Sequence, residues 1–168
     1  MIDLNCSRNL SVRRLACYLR LALALPVLTA VLVLATPVAV QAQFSYTVTN
    51  QMVTITGYTG TNDVVAIPST INGLPVTGIG FAAFQDSSIT GVTIPNSVTN
   101  IGNFAFGYCF SLTNIMVDPL NSAFSSVDGM LFNHNQTTLV QYPGGNAGDY
   151  TIPNSVTSIA DSAFAAPT

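Results

Sequence analysis

The chain has 168 residues, 49% of them apolar, which is enough for one domain with a buried core. Its net charge of −3 hides an asymmetry: Arg8, Arg13, Arg14 and Arg20 lie in the first twenty positions, and no Lys, Arg or Glu comes after them. From residue 43 onward the charged side chains are Asp63, Asp86, Asp118, Asp128, Asp149 and Asp161, so nothing can neutralise phosphate. That excludes nucleic acid and disfavours anionic membrane surfaces.

The asymmetry points to the first element. "RLACYLRLALALPVLTAVLVLATPVAVQAQ" joins a basic start, a long apolar run and a small-residue exit at Val40 and Ala42. That pattern predicts a signal helix over residues 1–42 with cleavage between Ala42 and Gln43. Leu21 to Val40 is long enough to remain as a membrane anchor, but Pro26, Pro37 and the small-residue exit favour cleavage. The expected product is secreted or held at the cell surface, with no membrane contact after cleavage. Arg13-Arg14 leaves the Sec and twin-arginine routes both open. Cys6 and Cys17 depart with the leader, so Cys109 stands alone and no intrachain disulfide is expected.

The next stretch, "FSYTVTNQMVTITGY", alternates Phe44, Tyr46 and Val48, then Val53 and Ile55. Period-two alternation around a polar turn predicts a β-hairpin over 43–62, placed to shield the first layer of the repeats beyond it.

From residue 63 the chain repeats itself. "TIPNSVTNIG" at Thr93 returns as "TIPNSVTSIA" at Thr151, identical at eight of ten positions. Ile89, Val92 and Ile94 have the same spacing as Leu112, Ile115 and Val117, 23 residues later. This is the L-x-x-L-x-L spacing of a leucine-rich repeat. Val76-x-x-Ile79, Val98-x-x-Ile101 and Val156-x-x-Ile159 each precede an Ala-Phe pair: Ala83-Phe84, Ala105-Phe106 and Ala163-Phe164. Each unit therefore reads as a strand, an Ile-Pro corner, a second short strand, and a turn or half-helical segment that drops a Phe inward. Proline at 68, 95, 143 and 153 ends the strand runs, because it has no N–H to continue a ladder. One unit is too short to bury its own apolar face, so stacked units must bury each other's. Ile94, Val117 and Ile152 are expected to line one shared interior.

"TIPNSVTNIGNFAFGYCFSLTNIMV" resembles the BspA-type leucine-rich-repeat family, found on bacterial cell surfaces. Its pattern is met by Ile94, Pro95, Val98, Ile101, Ala105, Phe106, Cys109, Leu112, Ile115 and Val117. The resemblance covers about Val65 to Ala165. It implies a β-rich leucine-rich-repeat solenoid over 63–168 that acts as a non-enzymatic protein-binding or adhesion module at the bacterial surface. The alternative is a structural spacer, or a fragment of a larger surface repeat protein with no binding activity of its own.

Two features depart from the pattern. "STINGLPVTGIG" carries four extra residues, Asn72 to Pro75, read as a turn. Between about 118 and 150 the chain inserts "FSSVDGMLF", with Asp128-Gly129 as a strong hairpin signal, then "LVQYP", giving three strands inside the sheet. The last unit, "ADSAFAAPT", stops short of the family's next strand, so truncation is expected, with self-association through the uncapped C-terminal end.

Reactive chemistry is sparse. His134 in "FNHNQTT" reads as a polar loop residue, and Cys109 as a buried interior thiol with no cation to activate it. Asp118, Asn121 and Asp128 do not follow a calcium-loop pattern. Paired carboxylates for glycoside hydrolysis are absent from the pattern. No catalytic, cofactor or metal residue is therefore assigned. The candidate site is the concave strand face at Ala66, Thr93, Met116 and Thr151, joined by Asn114. That uncharged row suits a protein or a neutral surface glycan.

Overall fold

The computed structural model describes residues 43–165, so the expected leader helix and the expected cleavage after Ala42 lie outside the described residues. Strands β1 (Phe44–Thr49) and β2 (Met52–Tyr58) run antiparallel around Asn50-Gln51, both in the left-handed region. Pairing of Thr49 with Met52 leaves a two-residue turn, for which positive φ at both central positions matches the strand twist. The chain then winds as a β-solenoid of about five turns.

Its strands are β3 (Val64–Ala66), β4 (Thr70–Ile71), β5 (Leu74–Ile79), β6 (Gly91–Ile94), β7 (Asn100–Ile101) and β8 (Asn114–Val117). After them come β9 (Phe124–Val127), β10 (Met130–Asn133), β11 (Thr138–Gln141) and β12 (Ser158–Ile159). Two parallel ladders form successive walls. One is β3-β6-β8, with Val65, Val92 and Ile115 opposite one another and buried. The other is β2-β5-β7, bringing Ile55, Ile79 and Ile101 into line. The four extra residues of the first unit are used differently from expectation. Asn72-Gly73 alone makes the turn, and Leu74-Pro75 already pair with Ile71 and Thr70.

The third wall is a stack of turns at residues 81–86 and 103–108, the turn form of the two expected there and not the half-helical one. Among the described residues there is no helix. The second and sixth residues of each turn have positive φ, Ala82 and Asp86 in one and Phe104 and Tyr108 in the other. A left-handed residue cannot continue a right-handed helix. These turns bond instead to the layer beside them, Phe84 N to Ala105 O at 2.8 Å and Asp86 N to Gly107 O at 3.1 Å. Inside them Phe84 stacks on Phe106 at 5.3 Å and on Tyr58 at 5.4 Å.

The third repeat does not continue this plan. The hairpin of β9 and β10, closed by Asp128-Gly129, lies against β8. Gly129 O accepts from Ile115 N at 2.9 Å, and Ser126 Oγ accepts from Val117 N at 3.1 Å. With that edge occupied, residues 151–153 form no strand. Ile152 is exposed and does not share an interior with Ile94 and Val117, contrary to expectation. Met130, Phe132, Leu139 and Ala163 form a separate small core. Phe164, expected inward, is exposed and packs on Tyr142 at 5.5 Å. β12 pairs with β11 rather than with β7. Gly129 is needed for two reasons. Its φ is +82°, and a Cβ there would stand 3.0 Å from Thr113 O.

Asn121 fastens the inserted segment to the second layer. It is buried, its Nδ2 donates to Pro95 O at 2.8 Å and Val98 O at 2.9 Å, and its Oδ1 accepts from Ala123 N and Phe124 N. Asn121→Ala strands four backbone groups and should lower the unfolding free energy by about 3 kcal/mol. Asn121→Asp should fare little better, because a carboxylate cannot donate to the two carbonyls. Thermal unfolding of both variants measures this, and an unchanged midpoint would contradict the latch.

Candidate functional site

Side chains alternate across a strand, so a three-stranded parallel ladder has one buried and one outward face. Here the inward rows are Val65–Val92–Ile115, all buried, and Ile94–Val117, buried and half-buried in turn. The outward rows are Val64–Gly91–Asn114 and Ala66–Thr93–Met116. Four expected residues therefore meet on one surface: Ala66, Thr93 and Met116 in register, with Asn114 in the adjoining row. Ala66, Asn114 and Met116 are exposed and Thr93 is half-buried. At about 4.8 Å between strands, each row is about 10 Å long.

Thr151 does not belong to this face. The β9–β10 hairpin holds the edge of β8 that Thr151 would need, and Thr151 sits exposed outside any strand. Val64 was missed. It is 65% exposed and lies across Gly91, where a Cβ would be 3.6 Å from its methyl groups. Its position matches Asn114 one register earlier, but the doublet Val64-Val65 reads as core in the sequence. With Met116 at 50% exposure, the face has an apolar residue at two opposite corners and no charged side chain.

The remaining reactive groups are structural in their contacts. His134 Nδ1 lies 3.0 Å from the Asn121 carbonyl. Among the described residues no three His, Cys, Asp or Glu side chains come together to hold a metal ion. Asn121, weighed as an oxygen ligand, spends its side chain on the backbone. Cys109 is fully buried and donates from Sγ to Phe84 O at 2.9 Å. Burial pushes its thiol from the ordinary value of 9.0 up to about 11, with Asp86 adding to the rise and a backbone hydrogen bond at Ser87 opposing it.

Residues 67–166 match the BspA type leucine-rich repeat region in six copies. The chain belongs to the BspA-type leucine-rich-repeat family. Solenoids of this family are generally non-enzymatic. The chain is similar to the T. pallidum leucine-rich repeat protein TpLRR, with 28% identity and a TM-score of 0.53 over 77% of this chain and 65% of that one. It is also similar to the pneumococcal vaccine antigen PcpA, with 30% identity and a TM-score of 0.51 over 56% of this chain and 24% of the antigen. A leucine-rich repeat protein from Eubacterium ventriosum, 22% identical with a TM-score of 0.50 over 61% of this chain and 38% of that one, shares the fold. The BspA-type chain thus spans less than two thirds of each of these proteins. No curated protein sequence matches it.

The state of Cys109 gives a test. Below about pH 9 the folded and unfolded chains both keep the thiol proton. Between 9 and 11 the unfolded chain releases it and the folded chain does not, so stability falls as pH rises through that window. Denaturant midpoints of the wild type should drop across it more than those of Cys109→Ala. At pH 8 a thiol reagent should label Cys109 only after denaturation, and rapid labelling of the folded chain would contradict its burial.

Proposed function

We propose that this protein is exported, is cut after Ala42, and acts at the bacterial surface as a non-enzymatic binding or adhesion module. Its contact surface is the outward face of β3, β6 and β8. The observation that carries the reading is the composition of that face: Val64 and Met116 stand exposed around Ala66, Thr93 and Asn114 without a charge among them. An uncharged face with exposed apolar corners on a rigid ladder suits a protein partner. Support for a surface setting comes from the relatives, one of which is a pneumococcal vaccine antigen. In this reading residues 1–42 are the leader and the hairpin at 43–62 closes the first layer, where Phe44, Val53 and Ile55 are buried. Residues 63–168 are the solenoid, with its insertion at about 118–150.

The full chain, screened by biolayer interferometry against purified host matrix and serum proteins, should bind at least one of them. Met116→Lys or Thr93→Lys should weaken that binding at least about tenfold, since a buried unpaired charge is costly at an interface, while circular dichroism stays unchanged. Binding that survives both changes, or no binding at all, favours the spacer reading instead.

The last unit supports a second contact. Ile159 and Phe164 are exposed, whereas their counterparts Ile79, Phe84 and Phe106 are buried by neighbouring layers. Self-association through this end would cover them. Sedimentation of the exported chain, cut after Ala42, should then show dimer at tens of micromolar, and Phe164→Asp should return it to monomer.

A further inference from the structure

A row of aromatic rings runs along the stacked turns, on a different side of the solenoid from the sheet face. Phe81 meets Phe104 edge-on with centroids 6.0 Å apart. Phe104 lies parallel to Tyr108, 8° between planes at 6.4 Å, and Tyr108 meets Phe110 at 6.4 Å. The row is not core. Phe81 is 70% exposed, Phe110 52% and Tyr108 39%, and the rings that fill the interior are their neighbours Phe84 and Phe106.

The backbone makes this choice of residues informative. Phe104 and Tyr108 occupy the two left-handed positions of their turn, with φ of 56° and 57°. The preceding turn fills the same positions with Ala82 and Asp86. Bulky aromatic residues are poor occupants of that region, where Gly, Asn or Asp cost least. They also gain no full burial there to compensate. The local rule is therefore broken twice within one turn, in favour of rings that face outward. Such conflicts are expected at functional or strained sites.

The surroundings choose the class of ligand. Gln85, Asp86 and Asn103 are exposed in the same turns, with Ser111 exposed just beyond beside Phe110, and they offer amide, carboxylate and hydroxyl groups. No Lys or Arg occurs in residues 43–165, so phosphate, sulfate and uronate groups have no counter-charge. A ligand matched to this charge pattern is uncharged, has flat faces of C–H bonds for the negative faces of the rings, and has hydroxyls for the polar margin. A pyranose chain has all three properties. Successive rings along the stack could hold successive sugar units. We propose that Phe81, Phe104, Tyr108 and Phe110 form a binding platform for a neutral polysaccharide, separate from the sheet face and independent of its partner.

Native gels containing laminarin, mixed-linkage β-glucan or mannan, with polygalacturonate as the anionic comparator, test this on the full chain. Migration should be retarded by at least one neutral glycan and not by polygalacturonate. Phe81→Ala with Phe110→Ala, both exposed and outside the core, should weaken that retardation about tenfold, with circular dichroism unchanged. Met116→Lys should be retarded like the wild type, which separates this platform from the sheet face. The proposal is overturned if no neutral glycan retards the chain or if the double variant is retarded as strongly as the wild type. It is likewise overturned if retardation is lost in Met116→Lys alone, or if the double variant loses only a protein partner.

Discussion

The constraint on which the rest depends is the main-chain hydrogen bonding that runs along the stack. Thr90 N reaches Asp63 O at 2.6 Å and Thr113 N reaches Thr90 O at 2.9 Å. On the second wall Thr99 N reaches Thr77 O at 3.0 Å and Gly102 N reaches Ile79 O at 2.8 Å. Threonine hydroxyls double several of these links, Thr90 Oγ1 to Asp63 O and Thr113 Oγ1 to Thr90 O among them. Each layer thereby fixes the height and register of the next. The approach is close enough that a Cβ on Gly102 would stand 2.7 Å from Phe81 N. Side chains have to fit the slot the backbone leaves, and since each slot is alike, the same residues return: Ile or Val inward, Thr at the corners, Ala-Phe at the turn.

Little else holds the described chain together. With no Lys or Arg after Arg20 there can be no salt bridge between side chains of residues 43–165 apart from His134. The six aspartates repel one another and are tolerated because they sit apart at exposed or half-exposed positions. Cohesion comes from apolar burial and the ladders, and from the few buried polar groups that are fully satisfied. Asn121 is the clearest of these, since all four bonds of its amide go to main-chain atoms of two layers. Such a fully satisfied group fixes one arrangement of the two layers and is costly to remove.

Much of this was legible in the sequence because stacking imposes strict spacing. The shift of 23 between Ile89 and Leu112 gives the parallel ladder its register, and it is the register observed. Asp128-Gly129 marks a hairpin because few other dipeptides accept two positive φ values. The third repeat misleads for a physical reason. "TIPNSVTSIA" is nearly the same phrase as "TIPNSVTNIG", but a strand needs a free edge beside it as well as a suitable sequence. Gly129 and Ser126 have already taken the edge of β8, so Thr151 and Ile152 are left outside and one candidate site residue is lost. Sequence similarity reports the propensity of a segment, and the availability of its partner is decided by an insertion that comes before it in the chain.

The outward residues obey no such rule, which is why they carry what distinguishes this chain from others built the same way. Inward positions repeat between layers: Val65, Val92 and Ile115 are all β-branched and buried. Outward positions differ at every layer, from Val64 to Gly91 to Asn114, and from Ala66 to Thr93 to Met116. The turns show the same division more sharply. Ala83 and Ala105 face the interior and are identical, whereas Ala82 and Phe104, which share a strained backbone conformation, carry quite different side chains. A scaffold that solves its folding problem by repetition leaves the non-repeating positions free of that burden. Their identities can then be set by whatever meets the surface.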